Sequence, residues 1–200
     1  IIEHYINELD NESKQKRIIL NIKRNKKKFG SNKYEINVTN QKKPYHFEAI
    51  DNGKSIKVEI CTNDSRFNIL NINKRTISNN KTLYQIMGYD RNIANITIEV
   101  DNDMSRSYTG SFFDESNNIK FFENKKPKYN SSSGMHTLSF SGFVDIPSVK
   151  NCVIVDKLTK KTEYIIFGRN ANERFTSVFK QPLNTLAAIG LSLCMFQKGS

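Results

Sequence analysis

Cysteine is too scarce in this chain to hold a fold together. Cys61, Cys152 and Cys194 are an odd number without close spacing, which excludes a disulfide scaffold and points to a reducing compartment. Histidine is equally sparse: His4, His46 and His136 lie far apart, none in a metal-ligand spacing. Glycines such as Gly142 and Gly168 stand alone, and no phosphate-cradling glycine loop appears. With these shortages no catalytic constellation is recognisable; neither an enzyme nor a cofactor is expected, and no metal site. Acidic residues are also in deficit, 20 against 31 Lys plus Arg, for a net charge of +11. Such a surface attracts phosphate-bearing partners, either nucleic acid or the anionic cytoplasmic leaflet. The first residue is Ile1 rather than Met, so the sequence reads as a fragment.

What is present is a core's worth of apolar residues, 37% of 200, in short runs rich in aliphatic, aromatic and β-branched side chains. Clusters of Asn, Asp, Gly, Ser and Lys separate the runs. Strands are expected near 4–9, 17–25, 33–39, 45–50, 55–61, 66–71, 82–89, 94–100, 119–123, 136–145, 149–156, 163–168 and 174–180, with a long polar loop over 101–118. Roughly a dozen strands without intervening helical periodicity argue for an all-β barrel or sandwich in one domain spanning 1–200.

Residues 182–196 break the pattern. They are helix formers behind Pro182, and their apolar side chains cover every face, so the helix must be buried. At ~22 Å it falls short of the ~30 Å hydrocarbon core of a bilayer. A ring of about eleven or twelve strands leaves a bore near the ~10 Å diameter of a helix. The expected architecture is therefore a roughly 12-stranded antiparallel closed barrel enclosing a hydrophobic C-terminal helix.

Three collinear blocks in the last third carry a resemblance. Phe140, Gly142, Val144, Ser148, Val149, Lys150 and Asn151 match, in register, the signature Phe-x-Gly-Arg-Val-x-x-Ala-Ser-Val-Lys-Asn of the tubby-like proteins. Ile166-Phe-Gly-Arg169 with Phe175 and Thr176, and then Pro182, Leu183, Leu186, Ala187, Ile189 and Phe196, are similar to the segments that follow it in that family. Phe143, Asp145 and Pro147 depart from the signature, and the family's closing Ala-Cys-Glu is absent. The resemblance implies a twelve-stranded barrel threaded by the C-terminal helix, with the family's opening strand falling before Ile1.

It also implies a ligand. Members of this family bind phosphatidylinositol 4,5-bisphosphate through Lys and Arg on an early strand and its neighbour, since vicinal phosphates need several directed, charge-assisted donors. The matching positions are Arg24, Lys26 and Lys28, with Lys57 on the neighbouring strand and Lys23 and Lys27 as additional basic contacts. Glu59 stands where the family has Arg. The expectation is a monomeric phosphoinositide-binding adaptor, peripheral at the cytoplasmic face of the plasma membrane, with protein cargo held by a region ahead of Ile1 and nuclear shuttling as a second location. The alternative is a nucleic-acid-binding, transcription-regulator-like domain using the same basic surface, with Tyr34 and Phe29 as the aromatics beside it.

Overall fold

The computed structural model describes residues 2–14, 16–26, 30–39, 45–132 and 134–197. The chain runs α1 (Ile2–Ser13), β1 (Ile18–Asn25), β2 (Asn32–Val38), β3 (Tyr45–Asp51), β4 (Ser55–Cys61), β5 (Arg66–Ser78), β6 (Lys81–Gly88), β7 (Arg91–Val100), β8 (Arg106–Phe113) and β9 (Ile119–Asn124). It continues through β10 (Lys128–Asn130), β11 (Met135–Thr137), β12 (Cys152–Asp156), β13 (Glu163–Ala171), β14 (Arg174–Phe179) and α2 (Thr185–Met195). Twelve strands close an antiparallel barrel in the order β1-β14-β13-β12-β9-β8-β7-β6-β5-β4-β3-β2, with β10 and β11 as a separate two-stranded ribbon. The ring has no gap, because β1 bonds to β14 on one side and β2 on the other.

Every residue of α2 from Thr185 to Met195 is buried inside the ring. Its two ends are finished differently. At the first turn the Asn184 side chain accepts from Ala187 N at 2.8 Å, and the Asp10 carboxylate of α1 accepts from Thr185 N at 2.6 Å. At the last turn Arg106 donates to the carbonyls of Met195 (3.3 Å) and Gln197 (2.7 Å), and Lys150 Nζ donates to Phe196 O at 2.9 Å. An acid at the N-terminus and bases at the C-terminus complement the helix dipole and its unpaired backbone groups.

Three expectations about elements are corrected. Residues 4–9 are helical, not a strand: Ile6, Leu9 and Ser13 fall on one buried face at helical spacing. The expected loop over 101–118 contains the barrel strand β8. The expected strand over 136–145 shrinks to β11, after which the chain turns through Ser141 and Gly142, both at positive φ. From there Leu138, Phe140, Phe143 and Val144 pack on the outside of the barrel against Val153, Val155, Ile166 and Val178. That cover explains why β12–β14 read as continuous apolar runs while the front strands alternate. Gly168 allows the close approach, since a Cβ there would lie 2.3 Å from Val144.

Candidate functional site

Inward positions of β1 run Ile18, Leu20, Ile22 and then Arg24, so the strand delivers a guanidinium to the barrel mouth one step above the apolar core. There Phe196, just past α2, packs on Tyr34, Phe167 and Phe175, with ring centroids 5.1, 5.2 and 4.6 Å away. The Arg24 guanidinium lies over Phe196 at 5.4 Å and over Phe175 at 5.7 Å, and only 13% of its side chain is exposed. It therefore closes the core and faces the rim at once.

The β13–β14 turn brings Glu173, at φ 56°, to meet it. Arg24 Nε donates to Glu173 Oε2, and Lys26 Nζ sits 2.8 Å from Glu173 Oε1. Two cations thus hold the two oxygens of one carboxylate. Burial alone would raise the Glu173 carboxyl, but the hydrogen bonds from Arg24 and Lys26 outweigh it and hold the group below its ordinary value.

The other expected residues do not join this pair. Lys23 points outward and lies 3.6 Å from Glu35, whose other oxygen accepts from Asn25 at 2.6 Å. Lys57, on the outer face of β4, is bound to Glu59 at 2.8 Å. The register Asn25–Lys33–Ile50–Lys57 places Lys57 three strands from β1, about 14 Å away. Lys27 and Lys28 lie outside the described residues, as does Phe29. Each expected cation that is described is therefore paired with an acid. Among the described residues the expected cationic cradle is partly neutralised, because Glu35, Glu59 and Glu173 lie beside Lys23, Lys57 and the Arg24–Lys26 pair. Tyr34 is 2% exposed beneath Phe196 and offers no face for base stacking.

Sequence reasoning missed two groups. Glu173 is remote in sequence from the basic strand, and only the β1–β14 pairing reveals it. Arg174 lies opposite Lys23 across the same pairing, and both line an outer groove of about 460 Å³ with Glu35, Asn37 and Asn170. The signature residues Lys150 and Asn151 serve the fold instead: Asn151 donates to Ile146 O and accepts from Arg169 N.

A family model described as the Tub family matches residues 3–198. Among curated relatives, "Tubby protein homolog 1" of Caenorhabditis briggsae is 34% identical over 84 residues, 41% of this chain and 19% of the relative. Human "Tubby-related protein 1" is 41% identical over 75 residues, covering 36% of this chain and 14% of the relative. Human "Tubby-related protein 3" is 38% identical over 81 residues, 40% of this chain and 18% of the relative. The aligned stretch thus spans less than a fifth of each of these relatives.

Proposed function

Because the chain belongs to the Tub family, we propose that its barrel is a phosphoinositide-binding, peripheral membrane adaptor that works by binding and not by catalysis. The observation that supports this most is the double grip of Arg24 and Lys26 on the two oxygens of Glu173. A phosphate monoester presents the same pair of oxygens with more charge, so it competes for both donors and displaces the Glu173 carboxylate. The rim stands beside the outer groove carrying Lys23 and Arg174, which gives a second phosphate a place to bind. Binding occurs at the cytoplasmic face of the plasma membrane, and any protein cargo is held by segments other than the barrel.

Magnitudes separate a site from mere attraction. Four basic residues near an anionic leaflet contribute about 4 kcal/mol together, which corresponds to roughly millimolar binding. Each directed bond from a charged donor adds about 1.5–3 kcal/mol. The test is sedimentation with vesicles containing bisphosphorylated inositide against vesicles of equal charge made with phosphatidylserine. Preferential sedimentation with the inositide is expected, weakened in Lys26→Ala. Arg24→Ala is a poor probe, since its guanidinium also covers Phe175 and Phe196. Equal binding to both vesicles reduces the interaction to bulk charge and overturns the reading. DNA that displaces the protein from vesicles more readily than a soluble inositol phosphate would favour the nucleic-acid alternative.

A further inference from the structure

On the outer face of the barrel wall, β3 and β4 bring together three side chains of metal-ligating type. His46 and Cys61 are direct cross-strand partners, and Glu48 follows His46 on the same face of β3. One ligand atom from each, an imidazole nitrogen, the thiol sulfur and a carboxylate oxygen, lies within 4.8 Å of the other two. All three side chains are half-buried, held by the sheet yet open to solvent.

A neighbouring strand orients the imidazole. Asn37 of β2 places its Oδ1 2.8 Å from His46 Nδ1. An amide oxygen only accepts, so Nδ1 carries the hydrogen of that bond. The ring's Nε2 faces Glu48 Oε1 at 3.6 Å, beyond hydrogen-bond distance, while that same oxygen accepts from Arg66. A metal ion between these two atoms would take both as ligands, and a second partner holding the far ring nitrogen is the arrangement metal-binding histidines use.

We infer that His46 Nε2, Glu48 and Cys61 Sγ form a binding site for a zinc-class divalent ion, with water as the fourth ligand. Nitrogen, sulfur and oxygen donors together suit Zn2+ and disfavour the hard ions Ca2+ and Mg2+. Thiolate and carboxylate neutralise the two charges of the ion. Sγ gives its proton to solvent as the metal–sulfur bond forms. Tetrahedral bonds of about 2.0–2.3 Å put ligand atoms roughly 3.3–3.7 Å apart. Small side-chain rotations therefore close the cluster without moving the strands.

Arg66 stands in competition. It lies opposite Cys61 on β5 and donates from both terminal nitrogens to Glu48, while 57% of its side chain is exposed. It is free to swing outward when an ion takes the carboxylate. The fold hides this site from sequence inspection, because the hairpin between β3 and β4 separates the histidine from the cysteine along the chain.

The test is titration of the whole chain with Co2+, read by absorption. One ion per chain is expected, with a near-ultraviolet thiolate-to-cobalt charge-transfer band and the strong visible bands of four-coordination, both bleached by Zn2+. Cys61→Ser should abolish the charge-transfer band, and His46→Ala should weaken binding by more than about tenfold. Arg66→Ala should tighten it, by about threefold, by removing a like charge. Zn2+ should also raise the melting temperature of the parent chain and not that of Cys61→Ser. Absence of the charge-transfer band, its persistence in Cys61→Ser, or equal stabilisation of both chains by Zn2+ overturns the assignment.

Discussion

The two ends of the central helix are sealed by opposite means. At its start a carboxylate from α1, Asp10, meets a backbone donor; at its finish Arg106 and Lys150 meet backbone acceptors, and Arg24 lies over the aromatic plug. Asp10 is half-buried and accepts from the backbone N–H of Thr185, so this end is chiefly structural. At the other end the cations have donors in excess of what the helix needs, and one of them, Arg24, extends to an anion at the rim, Glu173. An end closed by positive charge keeps a capacity to bind anions that an end closed by negative charge lacks.

The contrast is broken most severely at Arg106. Replacing it by Ala removes two charge-assisted bonds to the last carbonyls of the buried helix, and a loss of about 3 kcal/mol in urea unfolding is expected. At the opposite end Asp10→Ala should cost about 1–2 kcal/mol, the worth of a lost cap. Asp10→Asn keeps the accepting oxygen and sharpens the comparison. Burial, against the hydrogen bonds from Thr185, raises the Asp10 carboxyl above its ordinary value. The folded state then holds the proton more tightly than the unfolded chain, so parent stability falls as pH rises through the raised pKa. Asn at this position should therefore gain on the parent between acidic and neutral pH, which unfolding midpoints at both would reveal.

Smaller effects are expected at the rim. Glu173→Gln keeps an accepting oxygen but removes the charge of a partly buried ion pair, and a loss of about 1 kcal/mol of stability is expected. The folded carboxyl is depressed, so this contribution is present above the ordinary carboxylate range and disappears as pH falls through the folded value. The same change frees Arg24 and Lys26, and binding to inositide vesicles should strengthen about fivefold, the equivalent of ~1 kcal/mol. Least of all, Lys57→Ala should leave unfolding unchanged within about 0.5 kcal/mol, given its exposed pairing with Glu59. Unchanged vesicle sedimentation would confine the site to the β1 side, and a loss would extend it across β3.

The barrel and its helix were legible because both rest on patterns that survive without an alignment: short β-rich runs, and one segment apolar on every face. Strand β8 was hidden by its own inward row, Tyr108, Gly110 and Phe112. Its middle member is a glycine because a Cβ there would lie 2.1 Å from Asn95 O, and that gap erases the alternation. Helix α1 carried a readable spacing in Ile6 and Leu9, masked by the β-favouring residues around it. Of the binding surface, the positions of Arg24 and Lys26 were legible from the basic run, but their partner was not. Glu173 comes within reach only through pairing of the first barrel strand with the last, a contact no local pattern encodes. The His46–Glu48–Cys61 cluster was hidden for the same reason.

That pairing of first strand with last governs how the molecule comes into being. During synthesis β1 leaves the ribosome long before β14, and the helix that fills the bore follows every strand of the wall. A wall without its closing strand and helix would have two bare edges and an uncovered apolar lining, features that favour aggregation. Shutting the ring and seating its filling are thus bound to one late, slow, long-range event.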